Sequence, residues 1–380
     1  MSKKYPGGLI TKTPVAPAGP FQNGAASGVW TLSQAAYWQE QGLWPIAGNE
    51  NNFAAYNSTK DTALTDISGS VTLPYTTWFE VTDEYTLTVF ANLVLDIDIW
   101  GGGGGGGSYW SNPATMGGAG GYSYARGVQL AAGTYKFVVG AGGRGGIKDA
   151  GESQATMDSL NEGFGNGGLG TQANYSGFGN NNGGCAGGFS GIFSTSTAFA
   201  NALFISGGGG GAGTAGGNNG GQGGGGTGSD GAGPTAFGRK GTQSAGGIAQ
   251  PTPASTYTPG QAGSQLQGGN GGISSILGTG GGGFGGGGGG GGYYGGGSVG
   301  TKASSGMGGG GGGSGYTTTT LTMTSSGSET ATVKMIPTTK ATGAPTNTSA
   351  GYGATGSSGG THPTVDGFSG AIKFTITGTF

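Results

Sequence analysis

The sequence predicts an all-β protein: an antiparallel β-sandwich of jelly-roll type with inserted polyglycine II helices, preceded by a short, mostly extended N-terminal segment. Three observations carry this expectation. Apolar and polar residues alternate over long stretches, 101 of the 380 residues are glycine and fall in solid blocks, and helix signals are almost absent after residue 45. Alternation with period two marks strands with one buried face. Glycine at this density, against a usual share of about 7%, needs an architecture in which backbone replaces side chains.

Taken in order, residues 1–50 stand apart as an assembly segment. Pro6, Pro14, Pro17 and Pro20 favour extended, polyproline-like backbone. Ser33 as N-cap, Gly42 as the stop and Pro45 beyond it then predict a two-turn helix. Trp30, Tyr37, Trp38 and Trp44 crowd this stretch. They suit either a small self-packed cluster or a docking segment that inserts into a partner or a symmetry mate, because aromatic anchors dominate interfaces.

Residues 51–380 read as one glycine-rich β-sandwich domain, with 148–315 as its insertion of glycine helices and loops. Tyr85, Leu87, Val89, Ala91, Leu93, Leu95, Ile97 and Ile99 occupy odd positions, while Thr86, Thr88, Asn92, Asp96 and Asp98 are even. One strand of that length would span roughly 50 Å, so a turn near Ala91 and Asn92 is expected to divide it. Asp96 and Asp98, two residues apart on a strand, are expected on its solvent face. Further strands are predicted over 122–130 and 134–139, linked at Ala132 and Gly133, and over 202–205, 316–324, 330–336 and 371–377.

Between the strands lie glycine blocks at 101–107, 207–211, 223–226, 280–292 (interrupted by Phe284) and 308–313. Polyglycine can wind as a left-handed threefold helix with no internal hydrogen bonds, so every N–H and C=O must find a partner in another segment. Serine is sparse in the blocks, apolar strands run straight into them and aromatics punctuate them, which argues for order against a flexible linker.

Composition excludes several classes. Fourteen Lys and Arg against 16 acids, a net charge of −2, cannot support binding to nucleic acid through phosphate neutralisation. Aromatics at 10% oppose ordinary disorder, and solid glycine runs oppose a collagen period. One cysteine, Cys185, permits no internal disulfide. The first residues lack an apolar secretory stretch and no window is apolar enough to span a bilayer, so synthesis in a cytosol without membrane insertion is expected. No metal, cofactor or catalytic set is expected. The lone His362 lies near Asp366, and the G-x-S-x-G matches at 356–360 and 296–300 are of a kind that chance supplies at this glycine content. The stretch from Gly233 to Gly238 leads into Arg239 and Lys240, so it fails the phosphate-loop pattern.

Leu95-Asp96-Ile97-Asp98-Ile99-Trp100 running into 101–107 resembles the opening of glycine-rich domains in bacteriophage tail-fibre proteins. So do 120–127 and 131–143, and 367–376 resembles their closing strand. The same combination of β-sandwich and glycine helices resembles the glycine-rich domain of the anaplastic lymphoma kinase receptor family, a secreted, disulfide-bonded group that one cysteine does not fit. The receptor-binding adhesins of T-even phages are similar in alternating glycine helices with variable loops. The resemblance implies a virion protein, exposed on a tail fibre or capsid, that contacts a bacterial surface protein or glycan and assembles as a homo-oligomer, a trimer being favoured.

Glycine helices carry no side chains, so recognition is expected in the loops that join them. The candidate receptor-binding residues are Tyr109, Trp110, Tyr175, Phe178, Phe189, Phe237, Tyr293 and Tyr294. Aromatics on rigid loops suit stacking on sugar rings or protein hot spots. Sealing the ends of the glycine lattice is their alternative role.

Overall fold

Tyr85, Leu87 and Val89 are buried between half-exposed neighbours, and the same alternation resumes at Leu93, Leu95 and Ile97. The two runs form strands β4 (Asp83–Val89) and β5 (Leu93–Trp100), divided where the sequence predicts, but they do not pair with each other. They lie in different sheets. Odd positions are buried in both strands because each sheet turns that face toward the shared apolar cluster.

The computed structural model describes residues 37, 53–57, 63–66, 74–89, 92–107, 115–146, 164–171, 182–214, 218–234, 236–249, 259–272, 284–302, 307–330 and 366–380. Within them the protein is all-β. A seven-stranded antiparallel sheet runs in the order β12 (Tyr316–Thr317), β9 (Ala202–Ser206), β8 (Ser190–Phe193), β7 (Gly133–Val139), β4, β1 (Phe53–Asn57), β2 (Ala63–Asp66). A five-stranded antiparallel sheet has the order β13 (Ser325–Glu329), β6 (Tyr122–Leu130), β5, β14 (Ala371–Thr379), β3 (Tyr75–Phe79). A two-residue ladder, β10 (Phe284–Gly285) with β11 (Thr301–Lys302), stands apart. One apolar cluster draws on both large sheets: Tyr85 and Phe137 stack at 4.7 Å, and Phe79 and Phe374 from the other sheet meet Phe137 edge-on.

Of the strand predicted over 316–324, only Tyr316 and Thr317 are strand, paired with β9; the chain bends at 319–321, and the next strand, β13 on the other sheet, falls between the two predicted runs. Leu321 and Met323 pack against the core on the way. A threonine run has strand propensity throughout, but a residue becomes strand only where a neighbour accepts its ladder. Of the strand predicted over 330–336, Thr330 makes an isolated bridge to Gly224, and the remainder falls outside the described residues. Strands β1, β2, β3, β8 and β13, with the two-residue strands β10 and β11, are additions that periodicity did not single out.

Glycine segments begin where strands end, and they do so at one end of the sheets. β5 runs into 101–107, β7 into 140–146 and β9 into 207–214, while 115–121, 182–189, 307–315 and 366–370 lead into β6, β8, β12 and β14. In these segments the direction of hydrogen bonding repeats every three residues. N–H groups of Gly208, Gly211 and Thr214 donate to carbonyls of Gly291, Gly288 and Gly285. Those of Gly209 and Ala212 donate to Gly102 and Gly105, and those of Gly210 and Gly213 to Gly221 and Asn218. Along 309–314 the repeat returns: Gly310 and Gly313 donate to Gly211 and Gly208, Gly309 and Gly312 to Ala232 and Ser229, Gly311 and Ser314 to Gly297 and Tyr294. Three neighbours per segment thus satisfy donors that neither α-helix nor β-ladder accommodates.

Such an approach requires glycine. A Cβ on Gly104 would overlap the backbone carbonyl of Gly210, and one on Gly311 the carbonyl of Arg239. Non-glycine residues inside the block serve as latches. Thr115 Oγ1 donates to the Gly213 carbonyl at 2.7 Å, Thr171 Oγ1 to Val299 at 2.7 Å, and Ser314 Oγ to Thr242 at 2.8 Å.

Candidate functional site

The structure separates the expected binding aromatics into three groups. Tyr109, Trp110, Tyr175 and Phe178 lie outside the described residues, as do Trp30, Trp38 and Trp44 of the N-terminal segment. Tyr37 is the one described residue of that segment; it is helical and 54% exposed.

Phe189 corrects the expectation of a presented loop residue. It sits just before β8 and is buried, packed edge-on against Phe193 at 6.1 Å in a second apolar cluster with Val138 and Ile205. Its neighbours 182–188 are glycine lattice, so its ring is the plug where lattice meets sheet. Phe237 is half-buried with the Arg239 guanidinium 4.6 Å above its ring, and Arg239 in turn pairs with Asp230 at 2.8 Å. The cation that followed the failed phosphate loop is therefore engaged in a cation–π contact and an ion pair.

Tyr293 and Tyr294 do come together with partners that sequence did not name. Tyr293 is sandwiched between Phe199 (4.3 Å, 20°) and Tyr316 (3.9 Å, 9°), and Tyr294 stands edge-on to both Phe199 and Tyr293. Phe199 belongs to a 3-10 turn (Phe199–Asn201), and Tyr316 to the outermost strand β12. All four are half-buried. Burial, together with the neighbouring Tyr316 and Tyr294, raises the Tyr293 pKa. Both faces of Tyr293 are occupied within the protein, by Phe199 and Tyr316.

The largest concentration of side-chain chemistry lies elsewhere, on the outward face of the five-stranded sheet. Here Asp98 corrects the expectation of a solvated strand position, because its side chain is only 7% exposed. Tyr122 Oη donates to Asp98 Oδ1 at 2.5 Å, Arg126 donates to the same oxygen at 2.6 Å, and Lys373 Nζ lies 3.7 Å from Oδ2. Asp96 fits the expectation better: it is about one-third exposed, 4.0 Å from Arg126, and its Oδ1 accepts the Gly127 N–H. Burial and then the Asp98 hydrogen bond push the Tyr122 hydroxyl up to about 12. Burial works against the Arg126 charge, but the hydrogen bond and charge of Asp98 outweigh it and its pKa rises.

Around this carboxylate the rings form a strip. Trp78 stacks on Trp100 at 5.5 Å, Trp100 meets Tyr122 at 5.1 Å, and Tyr122 meets Tyr124 at 6.0 Å. Lys373 and Arg126 cap it, 5.5 Å from the Trp78 ring and 5.0 Å from the Tyr124 ring. Tyr124 lies against Gly327 of β13, its direct cross-strand partner, where any Cβ would meet the ring; an edge glycine is covered by a neighbour's aromatic. The register explains the assembly: Lys373 is opposite both Trp78 and Asp98, and Asp98 is opposite Tyr124. Alternation places these even-numbered residues on one face, but only the pairing with the distant β14 brings Lys373 among them.

Ser298 of the G-x-S-x-G match at 296–300 is fully buried, donating to the Asn270 carbonyl at 2.6 Å and accepting the Gln261 N–H at 2.8 Å. It is a lattice latch. The second match and His362 lie outside the described residues. No group of three or more His, Cys, Asp or Glu among the described residues could hold a metal ion, and no described helix is long and apolar enough to cross a membrane. The chain matches no protein-family model, and no curated protein is similar to it.

Proposed function

We propose that this chain is a phage virion protein, a tail-fibre tip or adhesin that binds a bacterial surface protein or glycan without catalysis. In this reading the two sheets form a sandwich and the glycine segments are threefold polyglycine helices that extend it into a rigid scaffold. The observation that carries the reading is the three-residue repeat of hydrogen bonds in segments that all leave one end of the sheets. A rigid scaffold with chemically blank walls concentrates recognition in what it displays, here Phe237, Tyr294 and the loops that bear Tyr109, Trp110, Tyr175 and Phe178. Residues 1–50 attach the protein to other virion components, and several copies, a trimer by preference, multiply weak contacts. The protein is made in the host cytoplasm and ends on the virion exterior.

The second reading is a capsid decoration or fibre shaft with a purely structural role. It is favoured by the self-packing of Phe189 and Tyr293, whose rings are spent inside the protein. Immunogold imaging of virions and adsorption of purified, labelled protein to cells of the infected bacterium decide between them. The adhesin reading expects label at the fibre tip and saturable adsorption that competes with phage. Label on the capsid, or phage adsorption that excess protein leaves unchanged, sinks it.

A further inference from the structure

We infer that Asn219–Gly220 and Asn270–Gly271 are modification sites that the glycine block holds shut. Each pair carries the groups for cyclisation to a succinimide and deamidation, and each is clamped by the backbone of one residue in another segment. Asparagine followed by glycine is the pair most open to this reaction, since no Cβ shields the attacking nitrogen. The glycine nitrogen attacks the asparagine Cγ, a C–N bond forms there, the bond to Nδ2 breaks, and ammonia leaves with the amide proton. Water from solvent then opens the ring to aspartate or to isoaspartate, and the second product adds a methylene to the main chain.

The clamp has one form at both places. Gly220 N–H donates to the Met116 carbonyl at 2.8 Å, and Met116 N–H donates back to Asn219 Oδ1 at 2.9 Å. Gly271 N–H donates to the Leu169 carbonyl at 2.8 Å, and Leu169 N–H donates back to Asn270 Oδ1 at 2.9 Å. Attack requires the glycine nitrogen to give up its proton and the carboxamide to turn toward it, so it costs both bonds. Burial is not the shield, because Asn219 and Asn270 are half-buried, whereas Asn182, which precedes Gly183, is buried.

Aspartate is used in the same way elsewhere in the block. Gly145 N–H donates to Asp366 Oδ1 at 2.8 Å while Gly367 N–H donates to the Gly143 carbonyl at 2.7 Å. Lys240 N–H donates to Asp230 Oδ1 at 2.9 Å while Gly231 N–H donates to the Gly238 carbonyl at 2.9 Å. In each pair a side-chain oxygen accepts a backbone N–H of the neighbouring segment, as a backbone carbonyl does elsewhere in the lattice. Conversion to plain aspartate is therefore compatible with the clamp. Isoaspartate is not. Gly220 and Gly223 donate to Met116 and Ala119, and Gly268 and Gly271 to Asn166 and Leu169, a spacing of three that an extra methylene disrupts. Local opening thus becomes irreversible, and the chemical lifetime of the block follows how rarely these segments open. The inference goes beyond the virion reading and needs only the folded chain.

The test follows conversion of Asn219 and Asn270 by peptide mapping and mass spectrometry, with isoaspartate scored separately. The full chain is incubated folded, and unfolded in guanidinium, at the same mildly alkaline pH. Both residues are expected to convert at least about tenfold more slowly in the folded chain, the size expected when two hydrogen bonds must open first. Asn219→Asp and Asn270→Asp are expected to keep the parent melting temperature, and Asn219→Ala and Asn270→Ala to lower it by a few degrees. Equal conversion in the folded and unfolded chains overturns the inference. Slow conversion of Asn182 beside fast conversion of Asn219 and Asn270 assigns protection to burial, and overturns the clamp. Folded alanine variants that melt with the parent overturn it too, because the side-chain oxygens then hold nothing. If the alanine variants do not fold, the conversion rates of the parent chain decide alone.

Discussion

The sheet core and the glycine block are stabilised by opposite means. In the core, Tyr85, Phe137, Phe79 and Phe374 fill the space between two sheets, and backbone hydrogen bonds run only within each sheet. In the block, backbone bonds radiate to three neighbours and there is no room for a side chain between segments. The sign of a mutation therefore inverts between them. Removing atoms damages the core, whereas adding atoms damages the block.

The strongest way to break that contrast is one methyl group. Gly104→Ala drives a Cβ into the Gly210 carbonyl, which accepts the Gly118 N–H at 2.8 Å, so the shift propagates to a third segment. The expected loss is about 4 kcal/mol or more, or failure to yield soluble protein. Gly226 has open space where its Cβ would stand, and Gly226→Ala is expected to stay within about 0.5 kcal/mol of the parent. Thermal melting of both variants checks the pair, and equal melting temperatures would mean the block is loosely packed.

Next in size is the converse change. Phe137 is fully buried and touches three other rings, so Phe137→Ala is expected to cost about 3–5 kcal/mol through lost transfer energy and a cavity. Denaturant unfolding measures it, and a loss below about 1 kcal/mol would contradict a close-packed core. A smaller effect sharpens the comparison inside the block. Ser298→Ala removes a latch but no backbone contact, since the Gln261 N–H also reaches the Asn270 carbonyl at 2.9 Å, and about 1 kcal/mol is expected. A loss as large as that of Phe137→Ala would assign the block's stability to its latches and not to its backbone lattice.

The two regions also differ in how far sequence reveals them. Alternation from Tyr85 to Ile99 disclosed the buried face and the break near residue 91, because period two is a local property of the chain. It did not disclose that the break changes sheets, since a hairpin and a crossing leave the same odd positions inside. β8, with the sequence Ser-Gly-Ile-Phe, is buried on both faces and shows no alternation, so no periodic signal marks it. The glycine runs announced an ordered block, yet a featureless sequence cannot specify which segment bonds to which; that information sits in the strands that feed it and in scattered latches such as Thr115 and Ser314. The aromatic strip around Asp98 was hidden for a related reason. Trp100, Tyr122 and Tyr124 are visible as strand residues, but Trp78 and Lys373 join them only through pairings between the ends of the domain. Loop aromatics drew attention because exposure was presumed for them, and Phe189 shows that a ring beside glycine more readily fills the space that glycine leaves.

Titration gives the smallest effect at neutral pH and the cleanest separation of the regions. Tyr85 is buried beside Asp83, donates to the Val81 carbonyl at 2.6 Å and has its pKa pushed up to about 12 by burial and then by that carboxylate. Tyr122, on the other sheet, is likewise raised to about 12. In the unfolded chain both ionise near pH 10. Between about pH 10 and 12 the unfolded state therefore binds fewer protons than the native one, and stability falls as pH rises. Their contribution is complete below pH 10, so melting temperature is expected to be insensitive to these groups from pH 7 to 9 and to drop through the alkaline window. Tyr85→Phe and Tyr122→Phe remove the ionising groups and are each expected to flatten that drop, whatever they do at pH 7. Ser298→Ala, placed in a segment of the lattice with no ionisable side chain from 295 to 299, is expected to lower the curve without changing its slope. An alkaline slope unaltered by either tyrosine substitution would assign the drop to another group, Tyr135 of β7 first, whose pKa burial also raises.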